Sequence, residues 1–105
     1  MGIGPALAIP AALTNAGLKI EDIDIFEINE AFASQATYCV KKLGVPKEKL
    51  NPRGGAIALG HPLGMTGSRM IVTLFHELAR TNKKRGLVSM CIGTGMGACG
   101  VFERE

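Results

Sequence analysis

The chain has 105 residues, 47% of them hydrophobic and 20% charged, with a net charge of +3. That length holds one globular domain, or a piece of a larger protein, with a modest core. The basic excess gathers in Lys41–Lys42 with Lys47 and Lys49 and in Lys83–Lys84–Arg85. Neither cluster interleaves with aromatics, which favours solvated faces over a nucleic-acid stripe, a phosphate-bearing ligand or acidic partner being the lesser alternative.

Residues 5–16, PALAIPAALTNA, read as a helix with Pro5 near its start and Gly17 past its end. Pro10 falls inside it and predicts a kink or a later start. IDIFEI, residues 23–28, alternates apolar and acidic and reads as a strand. NEAFASQATYCVKKLG follows as a helix, with Asn29 as its cap, Glu30 at the positive end of its dipole and Gly44 as its stop. VPKEKLN is a turn or short helix. PRGGAIALGHPLG is a glycine-rich loop with a short extended piece at AIAL. MTGSRMIVTLFHELART reads as an amphipathic or largely buried helix. After the basic turn TNKKRG, GLVSMCI and ACGVFE form two strands of a hairpin around the turn GTGMG. The order predicts a layered α/β domain with a mixed sheet.

Three cysteines, Cys39, Cys91 and Cys99, make an odd number without a CxxC pair. That speaks against a disulfide framework and a structural zinc site and for a reducing compartment. No apolar run reaches the ~20 residues of a membrane span. The opening MGIGPALAIPAAL has no basic n-region, and Ala6 stands where a myristoylation pattern wants Ser or Thr.

Three polar residues fall where α/β folds put chemistry, at strand ends and glycine turns. Asn29 directly follows the first strand; a plain helix cap is its bland reading. His61 is gripped between Gly60 and Pro62, so its ring is aimed, and glycines on both sides let a ligand approach. Imidazole is the usual side chain for a general base or an oxyanion donor, and a structural histidine is the alternative. Cys91 closes an apolar strand and opens a glycine turn, whose N–H groups can face an anion and activate a thiol. The alternative is a cysteine packed as a small hydrophobe. GTGMGACG has no helix after it, so a dinucleotide fingerprint fails. His61, His76, Cys91 and Cys99 have no zinc-ligand spacing. His76 reads as surface, Cys39 and Cys99 as core, and Met65, Met70, Met90 and Met96 as packing.

Taken together, NEAF (29–32), GGAIALGHPLGMTG (54–67) and CIGTGMG (91–97) resemble the C-terminal part of a thiolase. That family makes and breaks the carbon–carbon bond of 3-ketoacyl-CoA. The resemblance spans essentially the whole chain. It implies an α/β, thiolase-like layered domain with a mixed sheet of the five-stranded type, here lacking its first strand. Residues 1–105 are then a partial C-terminal domain. His61 corresponds to the histidine that activates the nucleophilic thiol and helps bind the thioester oxyanion. Cys91 corresponds to the acid/base cysteine. Asn29 corresponds to the asparagine that holds a water in one oxyanion hole, and Gly93 to the glycine whose N–H serves a second.

The same resemblance implies that the acyl-carrying cysteine lies in an N-terminal domain and is none of Cys39, Cys91 and Cys99. The chain alone is therefore expected to be inactive. Coenzyme A enters as a substrate, with no cofactor and no metal. The expected partners are 3-ketoacyl-CoA, CoA, the N-terminal domain and a second subunit in a homodimer, with no nucleic acid. CIGTGMGA and MGIGPALAIPAAL are most similar to the peroxisomal branch, which implies fatty-acid β-oxidation in the peroxisome. The ending ERE is not a peroxisomal tripeptide. Thr94 stands where a third glycine is common, and Cys99 where a smaller residue is. A non-catalytic CoA- or lipid-binding carrier on the same fold is the alternative, disfavoured by the joint presence of Asn29, His61 and Cys91. A packing or dimer module is a second alternative. A decarboxylating ketoacyl synthase would show a second histidine in the place of Cys91.

Overall fold

Phe26 and Ile28 point to one side of a short strand, Ile25 and Glu27 to the other, and the molecule is built on that alternation. A computed structural model, describing residues 1–105, gives α1 (Gly4–Ala16), β1 (Ile25–Ile28), α2 (Ala33–Leu43), α3 (Ala56–Leu59), α4 (Thr66–Arg80), β2 (Arg85–Cys91) and β3 (Gly97–Glu103). Single 3-10 turns lie at Ile20–Asp22 and Lys47–Lys49. The sheet has the order β1-β2-β3, with β1 parallel to β2 and β2 antiparallel to β3. Leu50 adds one parallel bridge to Phe26 on the outer side of β1.

Two cores flank this sheet. Ile9 and Leu13 of α1 pack with Phe26, Ile28 and Leu87 on one face. Met70, Leu74 and Leu78 of α4, spaced one turn apart, pack with Ile25 and Val88 on the other. All three α4 side chains are fully buried. The closeness of that layer explains Gly86: a Cβ there would run into the Leu74 side chain. No helix is long and apolar enough to cross a membrane.

The layered α/β class and the closing hairpin stand as expected. The three strands are the three read from the residues; of the five-stranded type lacking its first strand that the resemblance implies, this chain contributes these three and one isolated bridge. The second helix starts at Ala33 instead of Asn29. The reason is that the Asn29 N–H still pairs with Ser89 O at 2.9 Å, which keeps the chain extended past β1. Gln35 then accepts the Phe32 N–H at 3.3 Å, a task the sequence had assigned to an asparagine cap. AIAL is a helical turn, not an extended piece, because the Glu30 carboxylate accepts the Ile57 N–H at 3.1 Å. Pro10 sits within a continuous α1. Cys39 is buried as expected, while Cys99 is only half-buried. Met70 packs, but Met65 and Met96 stand 40% and 54% exposed and are not core residues.

Glu77 of α4 is buried beneath two arginines: Arg53 Nε donates to it at 2.9 Å, and Arg80 grips both oxygens from the next turn. The Arg80 bonds, with Arg53 behind them, hold its carboxyl down to about 2. A carboxyl depressed in the folded state stabilises the fold above its ordinary value of 4.5 and loses that contribution as pH falls towards 2. Urea melts of the Glu77→Gln variant are therefore expected to show a shallower loss of stability between about pH 5 and about pH 3 than the parent. Parallel curves would show that the arginines do not discriminate the charged form.

Candidate active site

The site lies where β1, β2 and the loop before α4 meet. Asn29 is one residue past the end of β1 and is 1% exposed. Its backbone is pinned on both sides, the N–H by Ser89 O and the carbonyl by Gln35 Nε2 at 3.3 Å. Its side-chain Nδ2 lies 3.3 Å from His61 Nε2, and its Oδ1 is buried without a partner in the chain. Asn29 is thus not a helix cap but a buried amide facing the histidine.

The half-buried His61 ring is fixed at its other end. Its Nδ1 lies 2.7 Å from Thr66 Oγ1, and Thr66 is fully buried at the start of α4. The Thr66 hydroxyl has one proton, which it donates to Pro62 O at 3.0 Å. Its oxygen is therefore left to accept, so the ring proton is assigned to Nδ1 and Nε2 keeps its lone pair. Nε2 is the atom on the Asn29 side. Thr66 is the functional residue that motif reading did not single out. Its signal was present as the threonine five residues after the histidine, within the glycine-rich block.

Cys91 ends β2, half-buried, and pairs in register with Gly97 of β3. Between them, Gly93 (φ 91°), Thr94 (φ 49°) and Gly95 (φ 80°) all take the left-handed region. Glycine adopts it freely; Thr94 pays roughly 1 kcal/mol of strain for standing where a glycine fits better. The turn is closed by Met96 N–H on Gly93 O at 2.9 Å, and the Gly93 N–H itself is given to no carbonyl of the chain.

His61, Cys91 and Gly93 line one cavity of about 370 Å³, walled by the apolar Phe32, Leu63 and Ile92. The cavity and the Asn29–His61 contact together unite all four sequence-predicted residues. A separate cleft of about 480 Å³, between α2 and Leu50, contains none of the four. Cys39 and Cys99 lie elsewhere: the Cys39 thiol donates to Gly2 O at 3.5 Å, and burial pushes the Cys99 thiol up to about 11. The arrangement offers a lone-pair nitrogen, a thiol, a buried amide and an unpaired backbone N–H around one apolar-walled space. Those are the parts for moving a proton at a carbon and holding a developing oxyanion.

Thr66→Val keeps the shape and removes the acceptor. The bond is worth about 1 kcal/mol, so kcat in a complete enzyme carrying this domain is expected to fall roughly five- to tenfold with KM little changed. An unchanged kcat would show that Thr66 does not hold the ring.

Helices packed on both faces of a mixed sheet make this a three-layer α/β domain. Residues 1–104 match the family described as thiolase, C-terminal domain, and the chain belongs to the thiolase family. It is 73% identical over 104 residues to 3-ketoacyl-CoA thiolase B, peroxisomal, of Mus musculus, covering 98% of this chain and 24% of that protein. The corresponding human protein is 69% identical over the same span. The chain thus spans about a quarter of the length of these relatives. Among solved structures it matches the dimeric peroxisomal thiolase of Saccharomyces cerevisiae with a TM-score of 0.93 and 62% identity, covering 99% of this chain and 26% of that one. A second structure of the yeast peroxisomal 3-ketoacyl-CoA thiolase is described as five α-β-α-β-α layers built from two core domains of identical topology.

Proposed function

We propose that this domain supplies the proton-transfer and oxyanion half of a peroxisomal 3-ketoacyl-CoA thiolase, which cleaves its substrate with CoA to acetyl-CoA and a shortened acyl-CoA. The observation that carries this reading is the convergence of His61, Cys91 and Gly93 on one cavity with Asn29 bonded to His61.

His61 Nε2, kept free by Thr66, takes the proton of a nucleophilic cysteine that the rest of the enzyme provides. That thiolate adds to the 3-keto carbon, and the bond between C2 and C3 breaks. The electron pair goes to the acetyl-CoA enolate, whose C2 receives a proton from Cys91. The acyl group stays on the nucleophile until the Cys91 thiolate takes the proton of an incoming CoA thiol, whose sulfur attacks the acyl carbon; the nucleophile leaves as a thiolate and recovers its proton from His61. Asn29, through a water, and His61 bind the thioester oxygen, while the Gly93 N–H faces the second oxyanion. Each missing donor of this kind costs about 3 kcal/mol in the barrier. CoA is substrate, and no further cofactor is called for.

The outer face of α4 carries Val72 and Phe75, 57% and 37% exposed, beside the core residues it buries inward. In this reading that apolar face packs on the N-terminal half of the enzyme, and the whole assembles as a homodimer. The test is a graft of residues 1–104 into the mouse relative in place of its matching segment. Thiolysis of a 3-ketoacyl-CoA by the graft, lost on Cys91→Ala, is expected. A folded, dimeric graft without thiolysis, or one indifferent to Cys91→Ala, would overturn the proposal.

A further inference from the structure

We propose that Glu27 and Arg69 form a buried positioning pair that locks the first turn of α4 to the end of β1, and so keeps His61 in its Nδ1–H form facing Asn29. The inference rests on the reading of His61 as the domain's base.

The interface between α4 and the sheet is apolar along most of its length. Leu78, Leu74 and Met70 step along α4 in turns of four and meet Ile25 and Val88. One turn further on, the stripe reaches Thr66; two residues further along β1, the same face reaches Glu27. At this end the interface carries an ion pair between α4 and β1. Arg69 Nη1 lies 3.7 Å from Glu27 Oε2, with the Glu27 side chain 1% and the Arg69 side chain 17% exposed. Beyond the pair come Asn29, two residues after Glu27, and Thr66, three residues before Arg69. These are the two side chains that hold the two nitrogens of His61.

Stability does not account for the pair. Neither Glu27 oxygen has a hydrogen-bond partner, and Arg69 Nε and Nη1 have none either. Burial pushes the Glu27 carboxyl up to about 7 despite the pull of Arg69, and the charges of Glu77 and Glu30 push the same way. An ion pair of this sort recovers less than its desolvation costs, and two well-packed apolar side chains in its place are often neutral or stabilising. What an apolar pair cannot supply is a fixed register. Leucine and methionine slide along one another, whereas above about pH 7, where Glu27 carries its charge, two opposite charges in a low-dielectric gap have one preferred alignment. A shift of the first turn of α4 relative to β1 would move Thr66 away from Nδ1 or Asn29 away from Nε2.

The experiment is long-range 1H–15N NMR of the imidazole rings in the 105-residue chain, with exposed His76 as internal control and thermal melts alongside. The parent is expected to show well-separated ring nitrogens for His61, the signature of one tautomer. In Glu27→Leu/Arg69→Met the melting temperature is expected to hold or rise while the His61 separation collapses towards the averaged value of His76. Glu27→Gln, which keeps the shape, is expected to do the same and decides the matter should the double variant fail to fold. Arg69→Lys, which keeps the charge, retains most of the separation. An unchanged His61 signature in either folded Glu27 variant would overturn the proposal. The signature needs no turnover, so the pair can fail while the thiolase reading stands. A failed graft likewise leaves the signature readable.

Discussion

His61→Ala, introduced into a thiolase carrying this domain, is expected to lower kcat by about 10²- to 10⁴-fold, the usual share of a positioned acid–base group. Stability is expected to change by only about 1 kcal/mol. The ring is half-buried and belongs to neither apolar cluster, so its removal opens no cavity in the core. What it releases is one hydrogen bond to Thr66 and one contact to Asn29, each worth about 1 kcal/mol or less. Catalysis loses far more, because the nitrogen that takes the proton and helps bind the thioester oxygen is gone from a site whose other donors remain. Steady-state thiolysis and a thermal melt of the same preparation check both halves. A variant within threefold of the parent would remove His61 from the mechanism. One that unfolds would return it to the structural role that a lone histidine more often has.

The elements of this fold that the residues announce are those set by local chemistry. α4 shows its buried stripe as Met70, Leu74 and Leu78, and the closing hairpin shows two apolar runs around a glycine turn. What could not be read locally depended on distant partners. Asn29 has the side chain of a helix cap, and only the Ser89 carbonyl across the sheet reveals that the strand continues through it. AIAL looks like a short strand, and only the Glu30 carboxylate at its start turns it into a helix. Asn51 stands just ahead of the glycine block. It occupies a positive φ of 42° and uses its side chain to accept the Ile28 N–H and donate to the Ile28 carbonyl, extending the sheet without a strand. The site followed the same rule. His61, Cys91, Asn29 and Gly93 carry recognisable motifs, whereas Thr66 and the Glu27–Arg69 pair act through positions 5 and 42 residues away along the chain.

Gly97→Ala is expected to be the most destabilising single-methyl change in the domain, at about 3 kcal/mol. The first residue of α1, Gly4, and the first residue of β3, Gly97, touch backbone to backbone. A Cβ on Gly97 would meet the carbonyl of Gly4, and one on Gly4 would meet the Met96 carbonyl and the Gly97 backbone, closer than real atoms approach. A flexible side chain could turn away, but a carbonyl held in a helix start cannot, so the helix and strand must part. For a domain of this size the loss corresponds to a fall in melting temperature of roughly 10–20 °C. The damage reaches the site as well. Gly97 pairs with Cys91, and Met1, three residues before Gly4, lines the cavity that Cys91 shares with His61. Gly67→Ala is the matched control: it adds the same methyl within α4, where nothing lies within 4 Å, and is expected to be neutral or to stabilise by up to about 1 kcal/mol. Gly4→Ala should cost nearly as much as Gly97→Ala. The double variant should cost clearly less than their sum, because one separation of α1 from β3 makes room for both methyls. Full additivity in chemical melts would mean that the two glycines are strained for separate reasons, and that their contact is not what seats α1 against the strand leading back to Cys91.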